Sequence, residues 1–386
     1  MKQEDFDEYI RQGESSQRKA AYEWSTAIGL QAVDGLKTSD YLNELARRNI
    51  AGEISIDEVG RLLDTYYETK TIREADDEEK READKASKNI KKILAAKTFN
   101  FSANGYISIH RRIFDGVLLR AGKLRNYDIT KKEWILKGDT VHYLNWEDLR
   151  QALDYDIKQE RDFSYNGLTP DQIISHITRF VSGLWQIHPF GEGNTRTTAV
   201  FTIQYLRTLG FSAENDLFAK HSWYFRNALV RANYKNAVKG IDYSPIYLER
   251  FFRNLLLGEQ WDLRNRYLHI HPTEEWSVQP NLLEKPTCTG QVQDKLRTST
   301  GQRQDKLHTK NPDIVKLVLA IGEQKLSVKE MMNGVDLKGR DNFLNLYLNP
   351  AIADGYVRLL YPDKPRHPRQ KYLLTTKGLM LYKELA

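Results

Sequence analysis

The chain has 386 residues, enough for two or three domains with a substantial core. Lys and Arg exceed Asp and Glu by six (58 against 52), a mildly basic balance that permits a nucleic-acid contact without requiring one. A single cysteine, Cys288, excludes an intramolecular disulfide framework, and a polar start with no apolar run near the roughly 18 residues of a membrane span reads as a soluble, cytoplasmic protein.

Residues 1–92 read as an N-terminal helical region. From Ser39 to Ile50 the apolar residues Leu42, Leu45, Ala46 and Ile50 follow a helical repeat that Gly52 ends. Ser55 and Glu58 have capping-box spacing, and Val59, Leu62, Leu63 and Tyr66 form the stripe of a second helix. Between Arg73 and Lys92 opposite charges recur three and four apart, the pattern of a solvated helix.

Residues 93–268 form the central domain. Ile107 to Arg125 has helical periodicity and ends in a glycine stop followed by basic residues, with His110 expected on a helix surface. Trp134, Ile135 and Leu136 on one side of Lys137-Gly138-Asp139, and Val141, His142 and Tyr143 on the other, predict a short β-hairpin whose edge suits an extended segment of another protein. Thr169-Pro170 opens a helix with Ile174, Ile177, Val181 and Leu184 on one face.

That helix feeds into Trp185-Gln-Ile-His-Pro-Phe-Gly-Glu-Gly-Asn-Thr-Arg196, a turn that precedes another helix and has the makings of an anion site. The first helical N–H groups lack partners and carry roughly half a positive charge. Gly191 and Gly193 let the backbone approach a phosphate, Arg196 can grip it, and Glu192 can hold a divalent cation. His188, with an ordinary pKa of roughly 6.5, can take a proton from an attacking hydroxyl. Further on, Phe225, Leu229 and Asn233 fall on one helical face and suit a purine as readily as a core.

Residues 269–310 read as a linker with a short polar tandem, Thr289–Leu296 and Thr300–Leu307. In residues 311–386 three helices precede two strands around the basic turn Pro362-Asp-Lys-Pro-Arg-His-Pro-Arg369. This resembles a winged helix, with Lys338, Arg340, Arg366 and Arg369 as candidate contacts to DNA or to a protein. The fold class is thus mainly α, with a short β-hairpin flap and a small α+β winged-helix-like unit at the C-terminal end.

His188, Pro189, Phe190, Glu192, Gly193, Asn194 and Arg196 resemble the signature of the Fic family of nucleotidyl transferases, from which Thr195 departs. The resemblance extends to Ala121-Gly-Lys-Leu-Arg125. It implies a protein adenylyltransferase that uses ATP and Mg²⁺ to place AMP on a Ser, Thr or Tyr hydroxyl of a target protein. In that reading His188 is the base, Asn194 and Arg196 hold phosphates with Gly191 and Gly193, Glu192 holds the metal, residues 134–143 are the target-docking flap, and the adenine pocket lies near Phe225, Leu229 and Asn233. The family's small helical antitoxin modules carry an inhibitory Glu that pairs with a second Arg. Here Leu30, Asp34 and Gly35 stand in that motif, and the second Arg is Ala199, so glutamate-type autoinhibition is expected to be weak or absent. The alternatives are a DNA-binding regulator whose degenerate site senses nucleotide, and a phosphoryl-transferring Fic/Doc variant; a homodimer is a further expectation.

Overall fold

The computed structural model describes residues 6–71, 74–212, 217–270, 309 and 311–386. The chain starts with α1 (Asp7–Gln12) and α2 (Ser15–Gly29), which runs into a 3₁₀ turn at Leu30–Asp34. The helices α3 (Asp40–Ile50) and α4 (Ile56–Thr69) begin where Ser39 and Ser55 accept the Leu42 and Glu58 N–H groups at 3.1 and 3.2 Å. Together with α2 they enclose a separate small core of Trp24, Ile28, Leu42, Leu45, Val59 and Leu63.

The charge-dense run forms α5 (Asp77–Leu94), but it is not merely solvated. Ala83, Ala86, Ile90 and Ile93 are buried, and the last three pack into the main core. Charges three and four apart leave a third face free, and here that face is small and apolar enough to lie against α2.

The main core is built from α6 (Ala103–Ile113), α7 (Leu149–Asp162), α8 (Pro170–Ile187), α9 (Asn194–Thr208), α10 (Leu217–Lys220), α11 (Ser222–Asn233) and α12 (Ile246–Phe252). Thr169 and Gln172 close a reciprocal capping box at the start of α8. Every residue from Asn194 to Leu206 in α9 is buried, although many are polar. Thr197 and Thr198 satisfy their hydroxyls on the carbonyls of Gly193 and Asn194, both at 2.9 Å, so a Thr-rich helix can sit at the centre of the domain.

The C-terminal unit contains α13 (Pro312–Ile321), α14 (Val328–Gly334), α15 (Arg340–Phe343) continuing through a wide turn into α16 (Asn349–Ala353), and α17 (Thr376–Leu385). Its strands β1 (Val357–Leu359) and β2 (Tyr372–Leu374) pair antiparallel with Val357 opposite Leu374. This unit abuts the end of α9. Gly210, at φ 91°, lies so close to Gly355 that a Cβ would meet the Gly355 carbonyl oxygen at 2.2 Å, and the Lys377 N–H bonds the Leu209 carbonyl at 3.0 Å.

The strand pair β1–β2 is the only sheet among the described residues. The hairpin expected around Lys137-Gly138-Asp139 is therefore corrected: Trp134–Leu136 is a 3₁₀ turn, and Lys137 leaves it in a left-handed conformation at φ 53°. The Glu133 carbonyl accepts the Leu136 and Gly138 N–H groups, and the Glu133 N–H bonds Asp139, so the segment closes on itself and offers no strand edge. The tandem expected at 289–307 lies outside the described residues. No described helix is long and apolar enough to cross a membrane.

Candidate functional site

The end of α8 and the start of α9 are joined by a turn in which almost every atom has a structural task. His188 ends α8 in the left-handed region, at φ 49°. Arg125, reaching in from the segment after α6, holds that conformation: its Nε donates to the His188 carbonyl at 2.8 Å, and its main-chain N–H bonds the Pro189 carbonyl. The same guanidinium bonds the carbonyls of Tyr127 and Leu144, tying the turn to the segment over it.

Asn194 closes the turn from the other side. Its Oδ1 accepts the Phe190 N–H at 3.0 Å and its Nδ2 donates to the Phe190 carbonyl at 2.8 Å, so its side chain braces the loop. Gly193, at φ 70°, passes so near the Phe114 ring that a Cβ would sit 2.2 Å from it. Thr195, where the motif departs from its pattern, uses its hydroxyl to accept the Trp185 indole N–H at 3.0 Å. The N–H groups of Asn194, Thr195 and Arg196 precede the first helical bond, Thr197 N–H to Gly193, and have no acceptor among the described residues.

His110 is not on the surface, as its helical position suggested; it is 2% exposed and stacks on Phe190 at 3.7 Å. Its Nδ1 accepts the Gly122 N–H, which fixes the proton on Nε2 for the bond to the Glu192 carbonyl. Burial pushes its pKa down to about 4, so it stays neutral and acts as a fixed strut under the turn.

His188 is buried, and its pKa lies well below 6.5, first because of desolvation and next because of the nearby Lys131 ammonium. Its Nδ1 faces the Trp185 carbonyl at 3.4 Å, while its Nε2 has no partner. A neutral imidazole with a bare, buried Nε2 is a proton acceptor in waiting. Tyr143 lies over the ring at 4.1 Å, and its hydroxyl bonds Glu133 at 3.3 Å. Glu133 is in turn held by both nitrogens of the Arg226 fork, at 2.8 and 3.2 Å.

His188, Gly193, Asn194 and Thr195 share a small cavity of about 20 Å³ with Asp34, Lys131, Glu133, Tyr143, Trp185 and Arg226. That is below the roughly 300–1,000 Å³ usual for sites that take a whole small-molecule ligand.

Arg196 is not free for a phosphate. Its Nη1 donates to Gln31 at 2.9 Å, its Nη2 to Glu82 at 2.7 Å, and its Nε lies 2.8 Å from an Asp34 carboxylate oxygen, with the guanidinium 4.7 Å above the Phe114 ring. The motif remnant Leu30, Asp34 and Gly35, from which weak or no glutamate-type autoinhibition is expected, lies against this arginine. Leu30 is buried, Gly35 turns the chain at φ 75°, and the shorter Asp34 reaches the first arginine of the motif, since no second one exists at the buried Ala199. Sequence reasoning missed Gln31 and Glu82, whose role depends on a crossing of helices far apart in the chain.

Glu192 is exposed and its carboxylate has no partner among the described residues, which leaves a hard oxygen donor at the rim. The purine wall expected on α11 is not there: Phe225 and Leu229 are fully buried, Phe225 packs against Phe218 and Phe251, and Asn233 uses its amide on the Ser182 and Leu229 carbonyls. The α11 residue that reaches the pocket is Arg226. On the flap, Ile135, Leu136 and Val141 are core residues, Tyr143 covers the base, and Trp134 and His142 face outward.

Residues 100–206 match the Fic/DOC family model, and residues 312–375 match the model described as "Filamentation induced by cAMP protein Fic-like, C-terminal domain". Among curated proteins the chain is similar to "Protein adenylyltransferase VbhT" of Bartonella schoenbuchensis, with 24% identity over 205 residues. The alignment covers 50% of this chain and 41% of that relative, so the chain spans about two-fifths of its length. Among solved structures it is similar to a Fic family protein from Desulfovibrio desulfuricans G20, with TM-score 0.40 and 16% identity, covering 96% of this chain and 93% of that one.

Proposed function

We propose that this chain, which belongs to the Fic family, is a protein adenylyltransferase that moves AMP from ATP to a Ser, Thr or Tyr hydroxyl of a target protein. The observation that carries the reading is the bare, buried Nε2 of His188 beside the free N–H groups that open α9. The target oxygen gives its proton to that Nε2 and attacks the α-phosphorus of ATP. The bond from the α-phosphorus to the bridging oxygen breaks, and pyrophosphate leaves. The N–H groups of Asn194, Thr195 and Arg196 face the charge that builds on the phosphoryl oxygens.

Asn194 contributes by fixing the Phe190 turn that aims these groups, and Arg196 binds phosphate once Asp34 and Glu82 release it. The unpaired Glu192 carboxylate fits Mg²⁺, which takes one or two protein carboxylates and completes its shell with phosphate and water. Such an ion would offset the charge of the polyphosphate.

His188→Ala removes general-base assistance worth about 10²–10⁴ in rate. Transfer of α-labelled ATP to protein should fall to background, and undiminished labelling by that variant would refute the assignment. Label from the γ-position appearing on protein instead would establish the phosphoryl-transferring variant.

A second reading rests on the C-terminal unit. Lys364, Arg366 and Arg369 project from the β1–β2 turn with no acidic partner among the described residues, and the Gln370 side chain pins that turn to both main-chain groups of Tyr361. A rigid basic loop suits a DNA backbone. Duplex binding that weakens steeply with salt, and weakens further in Arg366→Glu/Arg369→Glu, supports the contact; no binding at low salt excludes it.

A further inference from the structure

Among the described residues, each cation around the pocket can be assigned to a partner except one. Arg125 is bound by main-chain carbonyls, Arg196 by Gln31, Glu82 and Asp34, and Arg226 by Glu133. Lys131 lies on the segment leading into the 3₁₀ turn, where its main-chain N–H faces the Thr140 hydroxyl, and its side chain lines the pocket beside His188, Gly193, Asn194 and Thr195. Its ammonium has neither a hydrogen bond nor an ion pair among the described residues. The carboxylates of Asp34, Glu133 and Glu192 influence it only at longer range, and burial lowers its pKa. A partly desolvated ammonium without a counter-ion is unfavourable, and a bound anion would remove that cost.

We propose that Lys131 is a binding residue for the polyphosphate of the nucleotide, supplied by the segment over the site. The inference rests on the adenylyltransferase reading of the same pocket and names a contact which that reading lacked. It also gives the covering segment a second task. The loop that carries Tyr143 over the base delivers, twelve residues earlier, the cation that meets the donor, so closure of the segment and retention of nucleotide are one event.

The experiment is equilibrium binding of ATP, with adenosine as an uncharged control, to the full chain and to Lys131→Met and Lys131→Arg. Losing one charge-assisted contact should weaken ATP at least about tenfold in Lys131→Met. Adenosine should bind all three proteins alike, and Lys131→Arg should recover most of the ATP affinity. Equal ATP affinity in wild type and Lys131→Met overturns the inference, as does an equal loss for ATP and adenosine, which would mark a structural role. Wild type that binds neither ligand overturns the adenylyltransferase reading itself, and this inference with it. Melting temperatures of the variants within a few degrees of wild type establish that the comparison is between folded proteins.

Discussion

Replacing Asp34 by alanine removes one of three partners that hold the Arg196 guanidinium, and its effect on nucleotide use can be worked from the geometry. The Asp34 oxygen is 2.8 Å from Nε, and its side chain is 35% exposed while Arg196 is 2% exposed. The contact is an ion pair without hydrogen-bond geometry, and with Asp34 partly in solvent it contributes about 0.5–1 kcal/mol. All of that opposes a phosphate competing for the same guanidinium. At about 1.4 kcal/mol per tenfold, Asp34→Ala should lower the KM for ATP about two- to fivefold with little change in kcat. Glu82→Gln keeps an oxygen acceptor without its charge and should act in the same direction. Initial rates of α-labelled transfer across an ATP series measure both variants. A KM that is unchanged or higher in both would refute the idea that these carboxylates compete with phosphate, and would leave them as packing of the N-terminal region alone.

Three further outcomes follow from the site. Gly193→Ala places a Cβ against the Phe114 ring at positive φ and should cost at least about 2 kcal/mol of stability, read as a lower midpoint in a denaturant titration. His110 has a folded pKa of about 4 against roughly 6.5 unfolded, so below pH 6.5 the unfolded state takes up a proton that the folded state refuses. Its contribution is complete above pH 6.5 and is lost as pH falls towards 4, by up to roughly 3 kcal/mol; melting curves across that window check it, and His110→Asn should flatten them. Since burial and Lys131 hold His188 well below its ordinary pKa, transfer rates should stay level from pH 8 to about 6, and an activity loss centred near 6.5 would contradict a neutral, buried base.

The sequence made the caps and the turn legible because both are local. Ser39, Ser55 and Thr169 start helices through bonds to residues three further on, and the His188–Arg196 run joins the end of one helix to the start of the next. What it hid was set by distance along the chain. Glu82 meets Arg196 across 114 residues and Gln31 meets it across 165, and nothing in the charge pattern of α5 separates Glu82 from its solvated neighbours. The segment 134–143 misled for another reason: its β-prone runs are short, and the inward Glu133, held by Arg226 and closing the backbone onto Asp139, favours a coiled turn over a ladder. On α11, the face that holds Phe225 and Leu229 is core, and the residue that reaches the pocket is the adjacent Arg226.

The glycine contact between residues 210 and 355 turns α9 into a ruler. Its 15 residues span about 22 Å at 1.5 Å each, with the His188–Arg196 turn at one end and the C-terminal unit bolted to the other. A helix does not stretch, so the C-terminal unit stands at a set distance from His188, however long the intervening chain. Inserting one residue into α9 would rotate the far unit by about 100° and advance it by about 1.5 Å, a change of bearing far larger than the change of reach.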